Sequence, residues 1–210
     1  RVNTSGASNV AVGHLALTAN TTGSQNTAVG GGALDANTTA TEGCAIGRNA
    51  LTANTTGEAN TALGKSALQA NTTGSYNAAG GLNALQQNTT AGDNTAFGVN
   101  AMLVNTTGHS NVAMGRSALD ANTTGASNTA VGKDALGSNT TGGTNTGVGQ
   151  NAGPAITTGA ENTCIGASTA EGLSTGGNNI CIGLGAGNSG NPGGLLQTTD
   201  NRIVLGNASS

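Results

Sequence analysis

Asparagine returns every 17 residues along this chain, at Asn9, Asn26, Asn60, Asn77, Asn94, Asn111, Asn128, Asn145, Asn162 and Asn179, with Gly43 filling the one gap. Counted from that Asn as position 1, the repeat reads N-T-A-V-G-x-x-A-L-x-A-N-T-T-G-x-x. A fixed period of this kind constrains the fold more than any other feature, because equivalent residues must recur in equivalent surroundings. Seventeen residues are too few for a two-helix or four-strand unit. They suffice for one turn of a parallel β-helix, in which each coil pairs with the next. The sequence therefore predicts an all-β fold, a parallel β-solenoid of about 11–12 coils with 17 residues per coil.

Two columns are apolar. Position 4 holds Val12, Val29, Ile46, Leu63, Phe97, Met114, Val131, Val148, Ile165 and Ile182, with Gly80 as the exception. Position 9 is Leu or Met in eight coils, from Leu17 to Leu136. Both are expected to stack inside. Strand side chains alternate with period two, so position 2 then shares the inner face with position 4, and position 3 points outward. Position 3 is nevertheless always small: Ala11, Ala28, Ala45, Ala62, Ala79, Ala96, Ala113, Ala130, Gly147, Cys164 and Cys181. Such an outward column implies a close cover, and a neighbouring copy of the chain is the obvious one. The alternative is that position 3 is itself inside and cramped.

The glycines at positions 5 and 15 suit corners of positive φ, which the Asn at positions 1 and 12 would also tolerate. Stacked in register, the Asn side chains can bond up and down a ladder. The pattern loosens from Asn145 onward, and the spacing breaks after Asn179. The division expected is a repeat domain over 1–187, then an irregular loop and a C-terminal capping strand over 188–210, with Asp200 to Gly206 supplying the strand. Residues 1–8 match positions 10–17, so further coils are expected upstream.

Composition excludes several functions. Tyr76 and Phe97 are the sole aromatics, there is no Trp, and the net charge is −3. That charge is small and of the wrong sign for gripping phosphates, so no nucleic acid is expected. Apolar runs of a few residues predict no membrane insertion. Low charge and two prolines also argue against disorder.

The run N-T-A-V-G-x-x-A-L-x-A-N-T-T-G resembles the repeats of bacteriophage tail-fibre proteins, and the likeness extends over nearly the whole chain. The ending T-T-D-N-R-I-V-L-G-N resembles the segment those fibres carry before an intramolecular-chaperone domain of the endosialidase type. The N-x-A-V-G strand is also similar to the head repeats of trimeric autotransporter adhesins. The resemblance implies a homotrimeric fibre in the virion tail, with other tail proteins and a host cell-surface receptor, a glycan among the candidates, as partners. It further implies a chaperone domain removed by autocleavage beside a Ser, which would leave an end such as Ser209-Ser210. The alternatives are a bacterial trimeric surface adhesin, at the cell surface, and a purely structural extracellular filament.

Catalysis needs convergent acids, bases or nucleophiles. His14 and His109 lie five coils apart, and the nine acidic residues scatter over several columns. No catalytic, cofactor-binding or metal site is expected, and the role is read as non-enzymatic. Position 6 collects Arg48, Lys65, Arg116 and Lys133, two short basic stripes. These are a candidate surface contact for an anionic glycan, set against the plainer reading of a solubilising corner. The N-T-T triplets starting at Asn20, Asn37, Asn54, Asn71, Asn88, Asn105, Asn122 and Asn139 are formal glycosylation sequons, read here as a turn column. Thr columns raise ice binding, but T-T places neighbours on opposite faces. Cys164 and Cys181 share position 3 on adjacent coils, a spacing that permits a disulfide, with two small buried thiols as the favoured reading.

Overall fold

A computed structural model describes residues 2–188 and 197–206. Twelve three-residue strands form one parallel sheet in strict chain order. They run from β1 (Val10–Val12) through β2 (Thr27–Val29), β3 (Cys44–Ile46), β4 (Thr61–Leu63), β5 (Ala78–Gly80) and β6 (Thr95–Phe97). They continue with β7 (Val112–Met114), β8 (Thr129–Val131), β9 (Thr146–Val148), β10 (Thr163–Ile165), β11 (Ile180–Ile182) and β12 (Ile203–Leu205). From β1 to β11 each Cα partner lies 17 residues on, as in Ala28 with Ala45. The last step, Ile180 to Ile203, takes 23. No helix occurs among the described residues. The β-solenoid follows from the period, and the Asp200–Gly206 segment supplies its end strand. The Gly/Pro stretch expected to loop out falls largely on 189–196, outside the described residues.

The facing of the strand is the reverse of the one expected. Position 3 points inward: Ala28, Ala45, Ala62, Ala79, Ala96, Ala113, Ala130, Cys164 and Cys181 are completely buried within the single chain, and Gly147 is buried with them. Ala11, in the first coil, is partly buried against the same core. The expected partner-facing column is thus the chain's own interior. Positions 2 and 4 point outward, with Ile46, Leu63, Phe97, Met114, Ile165 and Ile182 among the exposed apolar residues. The physical reason is room. A Cβ added at Gly147 would sit 2.8 Å from Leu136 Cγ, so the leucine of position 9 already fills the space beneath the strand. Nothing much larger than Ala fits between them.

The core is therefore thin: the small column at position 3, Ala at position 8, and Leu or Met at position 9. In the ninth and tenth coils, position 9 becomes Gly153 and Ala170, and position 12 becomes Ile156 and Leu173, all buried. The large apolar group moves from one wall to the other, and the core stays filled.

Two Asn ladders flank that core. At position 12, Asn37 Nδ2 donates to Asn20 Oδ1 (2.8 Å) and Asn88 Nδ2 to Asn71 Oδ1 (2.8 Å), while each amide also bonds its own coil's position 15 carbonyl. At position 1, the backbone N–H of Asn26 donates to Asn9 Oδ1, and Asn26 Nδ2 reaches the Ala40 carbonyl. Buried amides are tolerated because every rung supplies the next with a partner. Where the column changes to Ile156 the ladder ends, and Asn139 Oδ1 is left buried without a partner.

These Asn are interior groups, not corners. Positive φ occurs instead at positions 7, 9 and 17, including the buried Leu34 (φ 49°) and Leu51 (φ 50°). Position 5 does need glycine, with φ between 114° and 145° and the next coil's backbone immediately above. The position 15 glycines answer to close approach: a Cβ at Gly125 would collide with the Gly142 carbonyl oxygen.

Candidate functional site

The outer face of the sheet is the most unusual surface on the molecule. Along positions 2 and 4 it presents Val10, Val12, Ile46, Leu63, Phe97 and Met114, continuing through Val131, Val148, Ile165 and Ile182 to Ile203 and Leu205. Leu63, Phe97 and Ile182 keep 39%, 40% and 40% of their surface open to solvent, high for apolar strand residues. Twelve strands at about 4.8 Å make a strip roughly 50 Å long and 10 Å wide. Six of its twenty-four residues are threonines, Thr27, Thr61, Thr95, Thr129, Thr146 and Thr163 of column 2, so about 350–400 Å² of the roughly 500 Å² projected area is apolar, the size of the largest patch a monomeric surface leaves open. Parallel sheets normally have both faces covered. Here one face is covered by the chain's own return path and the other is bare.

The face is shaped as well as apolar. Gly80, the exception in column 4, sits beneath Phe97: a Cβ there would meet the ring's Cδ1. The absent side chain lets the largest residue of the column lie down over its neighbour.

Charge is sorted to the two edges of this strip. Just before the strand, at positions 16 and 17, stand Glu42, Glu58, Asp93 and Glu161, all exposed. Just after it, at position 6, stand Arg48, Lys65, Arg116 and Lys133, also exposed. The position 6 column is interrupted by Leu82 and Val99, both solvent-facing. Lys133 Nζ lies 3.2 Å from Asp134 Oδ2. The structure thus brings the basic residues into the expected two pairs, beside the apolar strip.

The chain matches no protein-family model, no curated protein and no solved structure. What it can do is read from its own surfaces. Among the described residues, no group of three or more His, Cys, Asp or Glu is placed to hold a metal ion. Likewise no helix among them is long and apolar enough to cross a membrane. His109 Nδ1 contacts Ser110 Oγ at 3.1 Å, and His14 is exposed in the first full coil, so the two histidines stay apart as expected. The sequon asparagines are buried and hydrogen-bonded, which closes them to glycosylation in the folded chain. The first Thr of each triplet spends its hydroxyl on the next coil, as Thr38 Oγ1 donates to the Thr55 carbonyl (3.1 Å). Only the second Thr is exposed, in single file.

Two clusters carry perturbed acidity. Burial pushes the Asp120 carboxyl above its ordinary value, helped by the negative charge of Asp134 one coil on. Cys164 and Cys181 are free, buried and paired face to face across β10 and β11. The hydrogen bond to Cys181, with burial, pushes the Cys164 thiol well above its ordinary range. A shallow groove of about 480 Å³ lies on the opposite wall, lined by Thr52, Gln69, Gln86 and Gln87 over Ala53 and Ala70. Gln86 Nε2 donates to Gln69 Oε1 (3.1 Å), so its amides are already partly satisfied by one another.

Proposed function

We propose that this chain is a structural segment of a viral tail fibre, a rigid spacer or tip that works in host attachment as a homotrimer. What supports the fibre reading is the resemblance of the 17-residue repeat to phage tail-fibre repeats. What supports the packing of copies is the bare apolar strip, the single observation on which the oligomeric reading rests. The Val, Ile, Leu, Phe and Met side chains of this strip, interleaved with Thr, cost free energy in water in proportion to their apolar area, and covering them with an identical strip removes that cost on both partners. A core of Ala and one Leu per coil leaves the isolated rod little apolar burial of its own. Association supplies the remainder. The role is mechanical rather than catalytic, with other tail proteins and a host-surface receptor as the fibre's remaining partners.

Mass spectrometry under non-denaturing conditions tests the assembly. The reading expects three copies, reduced to folded single chains by Leu63→Asp together with Phe97→Asp. A folded, monodisperse single chain at micromolar concentration for the unaltered sequence would overturn it. Gold-labelled antibodies against the chain should decorate tail appendages of the parent virus, and virions carrying no label would remove it from the fibre.

A further inference from the structure

The two edges of the apolar strip differ in charge, and that difference selects how copies can meet. The edge preceding the strand carries Glu42 and Glu58 on the rungs of β3 and β4. The edge following it carries Arg48 and Lys65 on the same two rungs. On the next rung, β5, the corresponding residues are Tyr76 and Leu82, 62% and 41% exposed. Three consecutive rungs thus present acid, acid and aromatic along one edge, and base, base and aliphatic along the other.

Consider two copies laid face to face on their strips. If they run antiparallel, the two-fold axis crosses the rods and brings each edge against its own kind; with the strips fully overlapped β3 meets β10 and β4 meets β9, so Glu42 faces Glu161 while Arg48 and Lys65 face Ala167 and Gln150 and find no acid. If they run parallel around an axis along the rods, the leading edge of one copy meets the trailing edge of the next. A closed ring has no rise, so like-numbered rungs stand level. Glu42 then faces Arg48, Glu58 faces Lys65, and Tyr76 faces Leu82 of the adjoining copy. Both arrangements bury the same apolar area, so the hydrophobic term does not choose between them. Edge charges do: they contribute modestly to affinity but penalise wrong pairings.

We infer that the occupant of the strip is a second copy of this chain packed parallel and level, its Arg48–Lys65 edge against the first copy's Glu42–Glu58 edge. This rests on the oligomeric reading above and adds direction, register and named contacts to it. It also gives the basic residues of the β3 and β4 rungs a partner within the assembly, in place of an anionic glycan.

Charge reversal tests it. Three variants are compared with the unaltered chain at low and moderate salt: Glu42→Lys with Glu58→Lys, Arg48→Glu with Lys65→Glu, and all four together. All four residues are exposed, and circular dichroism verifies folding. Each two-residue variant should raise the concentration at which the assembly dissociates about tenfold or more at low salt, with a smaller effect as salt screens the charges. The fourfold variant should return to within about threefold of the original, because both edges have exchanged sign. A fourfold variant as weak as either parent overturns the edge pairing, and so do two-residue variants that dissociate like the unaltered chain. If charge variants are silent while Leu63→Asp still splits the assembly, the oligomer stands and this arrangement falls. If the unaltered chain is itself single, both fall.

Discussion

Asn88 sits in the middle of the position 12 ladder, and its removal isolates what the ladder contributes. Its Nδ2 donates to Asn71 Oδ1 (2.8 Å) and to the Ala91 carbonyl (3.0 Å), and its Oδ1 accepts from Asn105 Nδ2 (2.9 Å). In Asn88→Ala the Ala91 carbonyl keeps Asn77 Nδ2 as a donor, and Asn105 keeps the Gly108 carbonyl as an acceptor. Two losses remain: Asn71 Oδ1 loses its ladder donor, and one amide hydrogen of Asn105 loses its acceptor. Each buried polar group without a partner costs about 1–3 kcal/mol, so the substitution should cost about 2–6 kcal/mol. Asn139→Ala is the internal control. Its Oδ1 already lacks a partner, and the Gly142 carbonyl keeps Asn128 Nδ2. Only Asn122 Oδ1 is newly orphaned, so the cost should be about 1–3 kcal/mol. Stacked repeats need not unfold as one unit, so the assay is amide hydrogen exchange resolved by coil rather than one melting temperature. Equal effects at Asn88 and Asn139, or an Asn88 effect below about 1 kcal/mol, would refute the ladder as a source of stability.

Other expectations concern the corners, the acids and the thiols. Gly98→Ala places a methyl group at φ 145° against the Gly115 carbonyl oxygen, so it should destabilise by about 2–4 kcal/mol and lower the thermal midpoint. An alanine melting like the parent would show that position 5 has slack. The raised pKa of Asp120 means the folded chain holds that proton more tightly than the unfolded one. Its contribution to stability is fully present below the unfolded value and is lost as pH rises through the folded value. Melting curves across that window should therefore fall with pH, and Asp120→Asn should remove that part of the slope; an unchanged slope would remove Asp120 as its source. Cys164 and Cys181 should resist alkylation until the chain unfolds, since both are buried and the Cys164 thiol is held in its neutral form. Modification of either in native buffer would contradict their placement.

Much of this architecture was legible in the sequence because identical rungs need identical residues. The interval from Asn26 to Asn60 to Asn77 fixed the rung length, and the repeated amides implied the ladders now seen at positions 1 and 12. The phase of the strand was not legible from apolarity. A three-residue strand has one side chain on one face and two on the other, and apolarity alone favours burying the larger pair. The better signal was tolerance of volume. Column 4 moves from Gly80 to Phe97 in one coil, which no narrow interior could absorb, while column 3 never exceeds Cys from β1 to β11 and reaches Val204 only on the end strand. Column 9 admits Leu and Met but no Val or Ile. That choice fits a left-handed backbone, near φ 50° at Leu51, Leu68 and Leu85, where a β-branched side chain is strained. The edge charges at Glu42 and Arg48 could be placed only once the strand between them was known to face out.

The direct test is thiol labelling at two adjacent residues of one strand. Ala96→Cys and Phe97→Cys are made separately in a chain carrying Cys44→Thr, Cys164→Ala and Cys181→Ala, and each is labelled both in the assembly and in single chains released by Leu63→Asp. A thiol at 96 should stay silent in both states; a thiol at 97 should be protected in the assembly and react freely in the released chain. Rapid labelling at 96 in the folded chain, or equal labelling at 97 in both states, would contradict the account.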